Sequence, residues 1–204
     1  MKVIKYTCFI SGTALLIAAL FLVMYNVHED RRGGEQAESA LTELRENIPE
    51  TTEILTAENY DLYAEYETTV PEMEVTEIDG HSYIGYISIP ALDIELPVMA
   101  EWSYPGLNIA PCRYTGSIYT DDLVIAAHNY SSHFGKINHL REDDEMVFTD
   151  VKGKKHRYKV CSIEQLPGTA VEDMKFGNSD EWDLTLFTCT LNGQSRITVR
   201  AEKM

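Results

Sequence analysis

After Gly80 the chain breaks into seven short runs rich in β-branched and aromatic residues, and this constrains the fold more than any other feature. The runs are Tyr83 to Ile89, Ile94 to Met99, Leu123 to Ala127, Met146 to Val151, His156 to Ile163, Leu184 to Thr190 and Ser195 to Glu202. Turn-forming residues separate them. The one helical option of note between them is around Phe134 to Arg141. Seven short strands with little helix predict an all-β domain that closes, or nearly closes, into a barrel. The 204 residues, 44% of them hydrophobic, leave room for one such domain plus an appendage.

The appendage is N-terminal. Cys8 to Tyr25 is apolar apart from Ser11, Gly12 and Thr13, carries no charge and follows Lys2 and Lys5. Eighteen such residues sit near the lower limit for a membrane-spanning helix. No small-x-small cleavage site lies between Phe21 and Arg32, so an uncleaved anchor is expected rather than a signal peptide. Lys and Arg counts do not orient it, because Arg31 and Arg32 balance Lys2 and Lys5. The expected organisation is a short N-terminal tail at 1–7, a transmembrane helix at 8–25, an acidic spacer at 26–80 and a folded domain at 81–204.

Charge is uneven along the chain. Residues 1–27 carry +2, residues 28–80 carry −13 and residues 81–204 carry −5, for −16 in all. No segment offers the basic face that nucleic acid requires, so no nucleic-acid partner is expected. The acidic stretch is punctuated by Gly33, Gly34, Pro49 and Pro71 and reads as a solvated spacer. Within it Ala37, Ala40, Leu41, Leu44 and Ile48 recur at helical spacing, which predicts one short amphipathic helix. Tyr60, Tyr63 and Tyr66 are candidates to pack on the domain.

Cys8, Cys112, Cys161 and Cys189 have no metal-ligand spacing, and no metal or other cofactor is expected. Cys112 and Cys161 are open to two readings, a disulfide or two buried thiols. Glu142, Asp143, Asp144 and Glu145 read as a solvated turn rather than a calcium site, since one run rarely supplies converging ligands.

The last two strand-like runs carry the chemistry. If Asn192 and Gly193 form a two-residue hairpin turn, both at positive φ, then Leu191 pairs with Gln194, Thr190 with Ser195 and Cys189 with Arg196. Directly opposed Cβ atoms lie about 4.5–5.5 Å apart, so this register alone sets a guanidinium beside a thiol. The cation would favour thiolate and could stabilise an oxyanion on a bound carbonyl. Leu184, Leu186, Thr188, Ile197 and Val199 would face the core, leaving Cys189 outward or in a groove. A thiol nucleophile also needs a proton carrier. His128 directly follows the apolar run 123–127 and would emerge at the barrel rim. His28, His81, His133, His139 and His156 read as surface residues. Taken alone, Cys189 and His128 are equally compatible with an inert core thiol and a strand-capping histidine.

Four segments carry a family resemblance. Tyr83-Ile84-Gly85-Tyr86-Ile87-Ser88-Ile89-Pro90, with Leu92, Ile94, Leu96, Pro97 and Val98, resembles the opening strands of sortases. Ala126-Ala127-His128-Asn129 is similar to their catalytic-histidine motif, with Ala127 where Gly is more usual. Thr185-Leu186-Phe187-Thr188-Cys189 matches the TLxTC motif at their nucleophile, and Arg196 before Ile197, Thr198 and Val199 matches their arginine. The resemblance spans roughly residues 81–203.

It implies a closed sortase-type β-barrel of about seven to eight strands with short helices, tethered outside the cell membrane by one transmembrane helix. It implies a cysteine transpeptidase in which Cys189 attacks the Thr-Gly bond of an LPxTG-like sorting signal on surface proteins. An amine from a cell-wall precursor or a pilin would then resolve the thioacyl enzyme. His128 would serve as acid and base and Arg196 as oxyanion and carbonyl ligand, with Thr188 and Asn129 contacting substrate. The absence of an Asp-Pro-aromatic lid motif before Tyr83 and of a second apolar segment argues against a pilus-polymerising type. The short stretch Pro167 to Asp183 argues against a haem-associated type. The alternatives are a cysteine peptidase on the same scaffold and a non-catalytic tethered module.

Overall fold

The computed structural model describes residues 2–49, 72–175 and 181–204. Tyr60, Tyr63 and Tyr66 lie outside the described residues. Helix α1 (Lys2–Asn47) precedes the strands β1 (Thr76–Ile78), β2 (His81–Ile89) and β3 (Ile94–Met99). A single helical turn, α2 (Tyr104–Leu107), leads to β4 (Cys112–Thr115), β5 (Leu123–Ala127), β6 (Glu145–Asp150) and β7 (Lys155–Pro167). A second short helix, α3 (Val171–Lys175), precedes β8 (Leu184–Cys189) and β9 (Ser195–Lys203).

The nine described strands form one sheet in the order β1-β2-β3-β4-β5-β8-β9-β7-β6. A further pairing of β2 with β6, Gly85 to Asp150 through Ser88 to Val147, closes eight of them into a barrel. The short β1 extends β2 beyond that closure through pairs such as Thr76 with Tyr83. Closure removes the free edges that an open sheet would expose. The seven expected runs all appear as strands. The expectation missed β1 and β4, which are too short at three and four residues to show an alternating pattern. The helical option around Phe134 to Arg141 is a single 3-10 turn, Ile137–His139.

Side chains alternate across the barrel wall. Ile87, Ile89, Val98, Ile125, Phe148, Tyr158, Leu186 and Val199 fill the interior. A second apolar layer lies outside the wall and contains Val124, Ala126 and Phe187 together with Ala40 and Leu44 of α1 and Ile48 just past its end. Both faces of β5 are therefore buried, and it runs parallel to β8. This is why Leu123–Ala127 reads as an unbroken apolar run instead of an alternation.

Helix α1 departs from the expected spacer. The stretch 26–80 was expected to be solvated with one short helix, yet its described first part continues the N-terminal helix unbroken to Asn47. At about 1.5 Å per residue, α1 is roughly 69 Å long. Ala37, Ala40, Leu41, Leu44 and Ile48 are buried on the barrel, so the apolar spacing marks a docking face. Arg45 in the last turn pairs with Glu95 and lies over the Tyr86 ring, 5.6 Å from its centroid. Gly33 and Gly34, which read as punctuation in the sequence, sit inside the helix. The N-terminal part of α1 is long and apolar enough to cross a membrane. Phe9, Leu15, Phe21 and Val27 are each more than half exposed.

Two histidines expected at the surface are buried. His133 has no exposed surface, and His156 is buried against Asp150, Nε2 to Oδ2 at 3.1 Å. His133 lies against the Tyr130 ring and the Gly33 backbone, and His156 sits opposite Phe148 on the neighbouring strand, settings that hydrophobic pattern alone does not reveal. The cysteines Cys112, Cys161 and Cys189 are all free thiols. Cys112 is wholly buried with its Sγ 3.9 Å from Met99 Sδ, as a small apolar residue would be.

Candidate active site

Strands β8 and β9 pair antiparallel from Leu184 with Ala201 to Cys189 with Arg196. The opposition of thiol and guanidinium positions derived from the sequence is present, but the turn that produces it is different. The ladder's last pair is Cys189 with Arg196, Thr190 still bonds Ser195, and Leu191 to Gln194 form a four-residue loop instead of pairing. Asn192 is not among the residues at positive φ, whereas Gly193 has φ +70°. The Asn192 side chain explains the change. Its Oδ1 accepts from Gln194 N at 3.1 Å and from Thr190 Oγ1 at 2.7 Å, a local capping that suits a right-handed residue. Gly193 N donates to Thr190 O at 2.8 Å and Thr190 N to Ser195 O at 2.9 Å. A four-residue loop has the same parity as a two-residue loop centred at the same place, so the register survives.

His128 reaches the same place from the other side. Strand β5 runs parallel to β8, and their last pair is Ala127 with Thr188. The Thr188 hydroxyl donates to Ala127 O at 2.8 Å and pins the two strands there. His128 and Cys189 are the next residues along each strand. With neighbouring strands about 4.8 Å apart, His128, one residue past β5, follows the Ala127–Thr188 pair beside Cys189 on β8, which in turn pairs with Arg196 on β9.

Each of these side chains has a defined setting. Half-buried His128 has Nε2 3.1 Å from Asn108 Oδ1 and its ring 4.8 Å from the Tyr130 ring, tilted by 37°. With Oδ1 accepting, the proton sits on Nε2 and Nδ1 is the free basic nitrogen. Burial holds the imidazole pKa below its ordinary value, which favours the neutral ring near pH 7. Arg196 Nη1 donates to Gly193 O at 3.0 Å and to Ser195 O at 3.1 Å, folding the guanidinium over the turn. Gly168 lies beside it, where a Cβ would come within 3.2 Å of Nη1.

A cleft of about 460 Å³ opens at this end of the barrel, with Cys189, Thr188, Asn129, Phe134, Gln165 and Ile197 in its wall. Asn129 and Thr188, the expected substrate contacts, both line it, although the Thr188 hydroxyl is engaged with Ala127. His128 and Arg196 stand outside its lining. Sequence reasoning missed Asn108 and Tyr130, the neighbours of the His128 ring, and no motif marks either. It also missed an edge-to-face series on the Phe187 side of β8, Phe187 to Tyr114 at 5.3 Å, Tyr114 to Trp102 at 5.8 Å and Trp102 to Tyr104 at 5.0 Å. Among the described residues no group of three or more His, Cys, Asp or Glu is placed to hold a metal ion. In the acidic turn, Asp144 accepts from Arg141 N at 2.7 Å and Asp143 pairs with Lys159 at 3.5 Å.

A closed eight-stranded barrel with a cysteine where β8 ends is the arrangement that the resemblance in the sequence implied. The sortase-domain family model matches residues 87–204, and the chain belongs to the sortase family. Among solved structures, sortase C1 from Streptococcus agalactiae is 25% identical, with 63% of this chain and 70% of that one covered and a TM-score of 0.53. A Clostridium perfringens sortase D5 transpeptidase is 21% identical over 60% of this chain and 79% of that one, with a TM-score of 0.53. Clostridium perfringens sortase C with its C-terminal cell wall sorting motif is 24% identical over 66% and 73%, with a TM-score of 0.51. Sortases C and D both share this fold, so the likeness assigns no subclass. No curated protein matches the chain.

Proposed function

We propose that Cys189 is the nucleophile, His128 the acid and base and Arg196 the oxyanion ligand of a transpeptidase that cleaves an LPxTG-like sorting signal. The observation that carries this reading is that His128, just past the end of β5, Cys189 on β8 and Arg196 on β9 stand at neighbouring positions. As Cys189 Sγ attacks the Thr carbonyl carbon of the scissile Thr-Gly bond, the thiol proton moves to Nδ1 of neutral His128. The carbonyl oxygen becomes an oxyanion facing Arg196, whose Nε and Nη2 donate to nothing among the described residues. Collapse expels the Gly amine, which takes the proton from His128 and leaves a thioacyl enzyme. An incoming amine then attacks the thioester carbonyl and gives its proton to His128. The new amide forms as the thiolate leaves and is reprotonated.

Asn129 and Thr188 line the cleft and would contact the signal. The Clostridium perfringens sortase C solved with a sorting motif supports a sorting-signal substrate here. The apolar part of α1 supports an anchor at residues 8–25, a single pass that holds the catalytic domain, 81–204, outside the cytoplasm. There it would meet surface proteins and a cell-wall or pilin amine.

Incubating the protein with an LPxTG-like peptide and a primary amine tests the reading. An amide product that disappears in Cys189→Ala is expected. Release of free acid alone would make the protein a peptidase, and amide formation by Cys189→Ala would remove Cys189 from the reaction.

A further inference from the structure

Two consecutive glycines weaken a long helix relative to alanine, so their presence calls for a compensating contact. Gly33 and Gly34 meet the loop that follows β5. A Cβ on Gly33 would lie 3.1 Å from Tyr130 Cδ2 and 3.2 Å from Asn108 O, and one on Gly34 would lie 2.9 Å from Ser132 Cβ. Nearly one turn earlier the Asp30 carboxylate grips the same loop with both oxygens. Oδ2 accepts from Ser131 N at 3.2 Å and Ser131 Oγ at 2.5 Å, and Oδ1 from Ser132 N at 3.2 Å and Ser132 Oγ at 2.8 Å. Burial raises the Asp30 pKa, but these bonds outweigh it and hold the carboxyl below its ordinary value.

These contacts converge on His128. Tyr130 stands between two histidine rings, 4.8 Å from His128 and 5.3 Å from His133. Asn108 and Tyr130 hold the His128 imidazole, and both rest against Gly33. We infer that Asp30 and Gly33 are positioning residues for His128, through which the helix leaving the membrane anchor sets the imidazole geometry. The apolar part of α1 reaches Val27, three residues before Asp30, so anchor and histidine loop share one continuous helix. This inference rests on His128 being the acid and base, and it adds the element that orients it.

The test uses the full chain in detergent micelles, with Asp30→Ala, Asp30→Asn, Gly33→Val and the exposed-side control Glu35→Ala. Two readouts separate positioning from bulk stability. One is the ¹⁵N-histidine titration of His128, which needs no substrate. The other is the split of kcat against KM for an LPxTG-like peptide and amine. Asp30→Ala and Gly33→Val should lower kcat about ten- to a hundredfold with KM little changed, the size expected for a misplaced catalytic group. The His128 titration should rise toward its ordinary value. Asp30→Asn, which keeps one acceptor oxygen, should fall between Asp30→Ala and the parent, and Glu35→Ala should match the parent. If Asp30→Ala loses its fold, the double variant Ser131→Ala with Ser132→Ala removes the hydroxyl donors from the opposite side and should show a smaller shift of the same sign. Folded variants with the parent's kcat and His128 titration would overturn the inference. A parent without transpeptidation, but with His128 responding in the variants, would overturn the proposed function and leave the coupling standing.

Discussion

Cys189 and Arg196 are directly paired across the β8–β9 hairpin, and the guanidinium is held over the turn by the carbonyls of Gly193 and Ser195. The arginine is thus held by backbone acceptors instead of by a carboxylate, which would offset the charge that the proposed oxyanion role requires.

Replacing Arg196 tests that role. Arg196→Ala should lower kcat about 10²–10³-fold, the usual cost of losing an oxyanion donor. Arg196→Lys should recover little, because an ammonium cannot bond two turn carbonyls and still present a planar donor edge to substrate. Steady-state kinetics with a peptide and amine measures both.

Asn108→Ala removes the acceptor for His128 Nε2 while leaving the strands intact. The freed ring should sample both tautomers, and kcat should fall about tenfold or more, within the range that general acid-base catalysis contributes. A pH-rate profile should show the His128 limb displaced as well as the lower plateau.

His133 predicts how stability depends on pH. Burial, the dominant cause, pulls its pKa down to about 4 although Asp30 and nearby backbone of Gly33 and Ile109 favour the proton, and among the described residues neither ring nitrogen has a well-formed hydrogen bond. In the unfolded chain the ring titrates near 6.5. Between these values the unfolded state binds the extra proton, so stability is full above about pH 6.5 and falls as pH drops toward 4. The loss is on the order of 3 kcal/mol. Denaturant midpoints from pH 7 to pH 4 should fall more steeply for the parent than for His133→Phe.

Thiol reactivity should sort the cysteines. Cys112 is fully buried and its pKa is pushed up to about 11, chiefly by burial, while the Cys161 thiol is also raised by burial. Half-buried Cys189 opens into the cleft. Iodoacetamide near pH 7.5 should label Cys189 first, read by peptide mass spectrometry, and that labelling should stop turnover. Labelling of Cys112 ahead of Cys189 in the native protein would contradict the burial described.

Gly193 holds the turn at a φ that side chains resist. Gly193→Ala should cost about 1–2 kcal/mol, lowering Tm by several degrees, with kcat less affected if the register persists.

Local pattern determined the parts of this protein whose information is local. Seven strands followed from runs of β-branched and aromatic residues, the apolar segment from its composition, and the Cys189–Arg196 opposition from the parity of a short loop. The motif order around His128, Cys189 and Arg196 carried the family. Tertiary structure alone decided what depends on residues far apart in the chain. The closure of β2 on β6, the parallel seat of His128 beside Cys189 and the burial of His133 all arise from packing between distant segments. The acidic stretch shows the division most plainly. Its charge reads as solvation, yet Gly33, Ala37, Ala40 and Leu44 lie on a helix face that the barrel buries, and the Asp30 carboxylate is spent on Ser131 and Ser132 about a hundred residues away. Charge and glycine content report what a segment can do alone, whereas the partner that holds it exists only once the chain has folded.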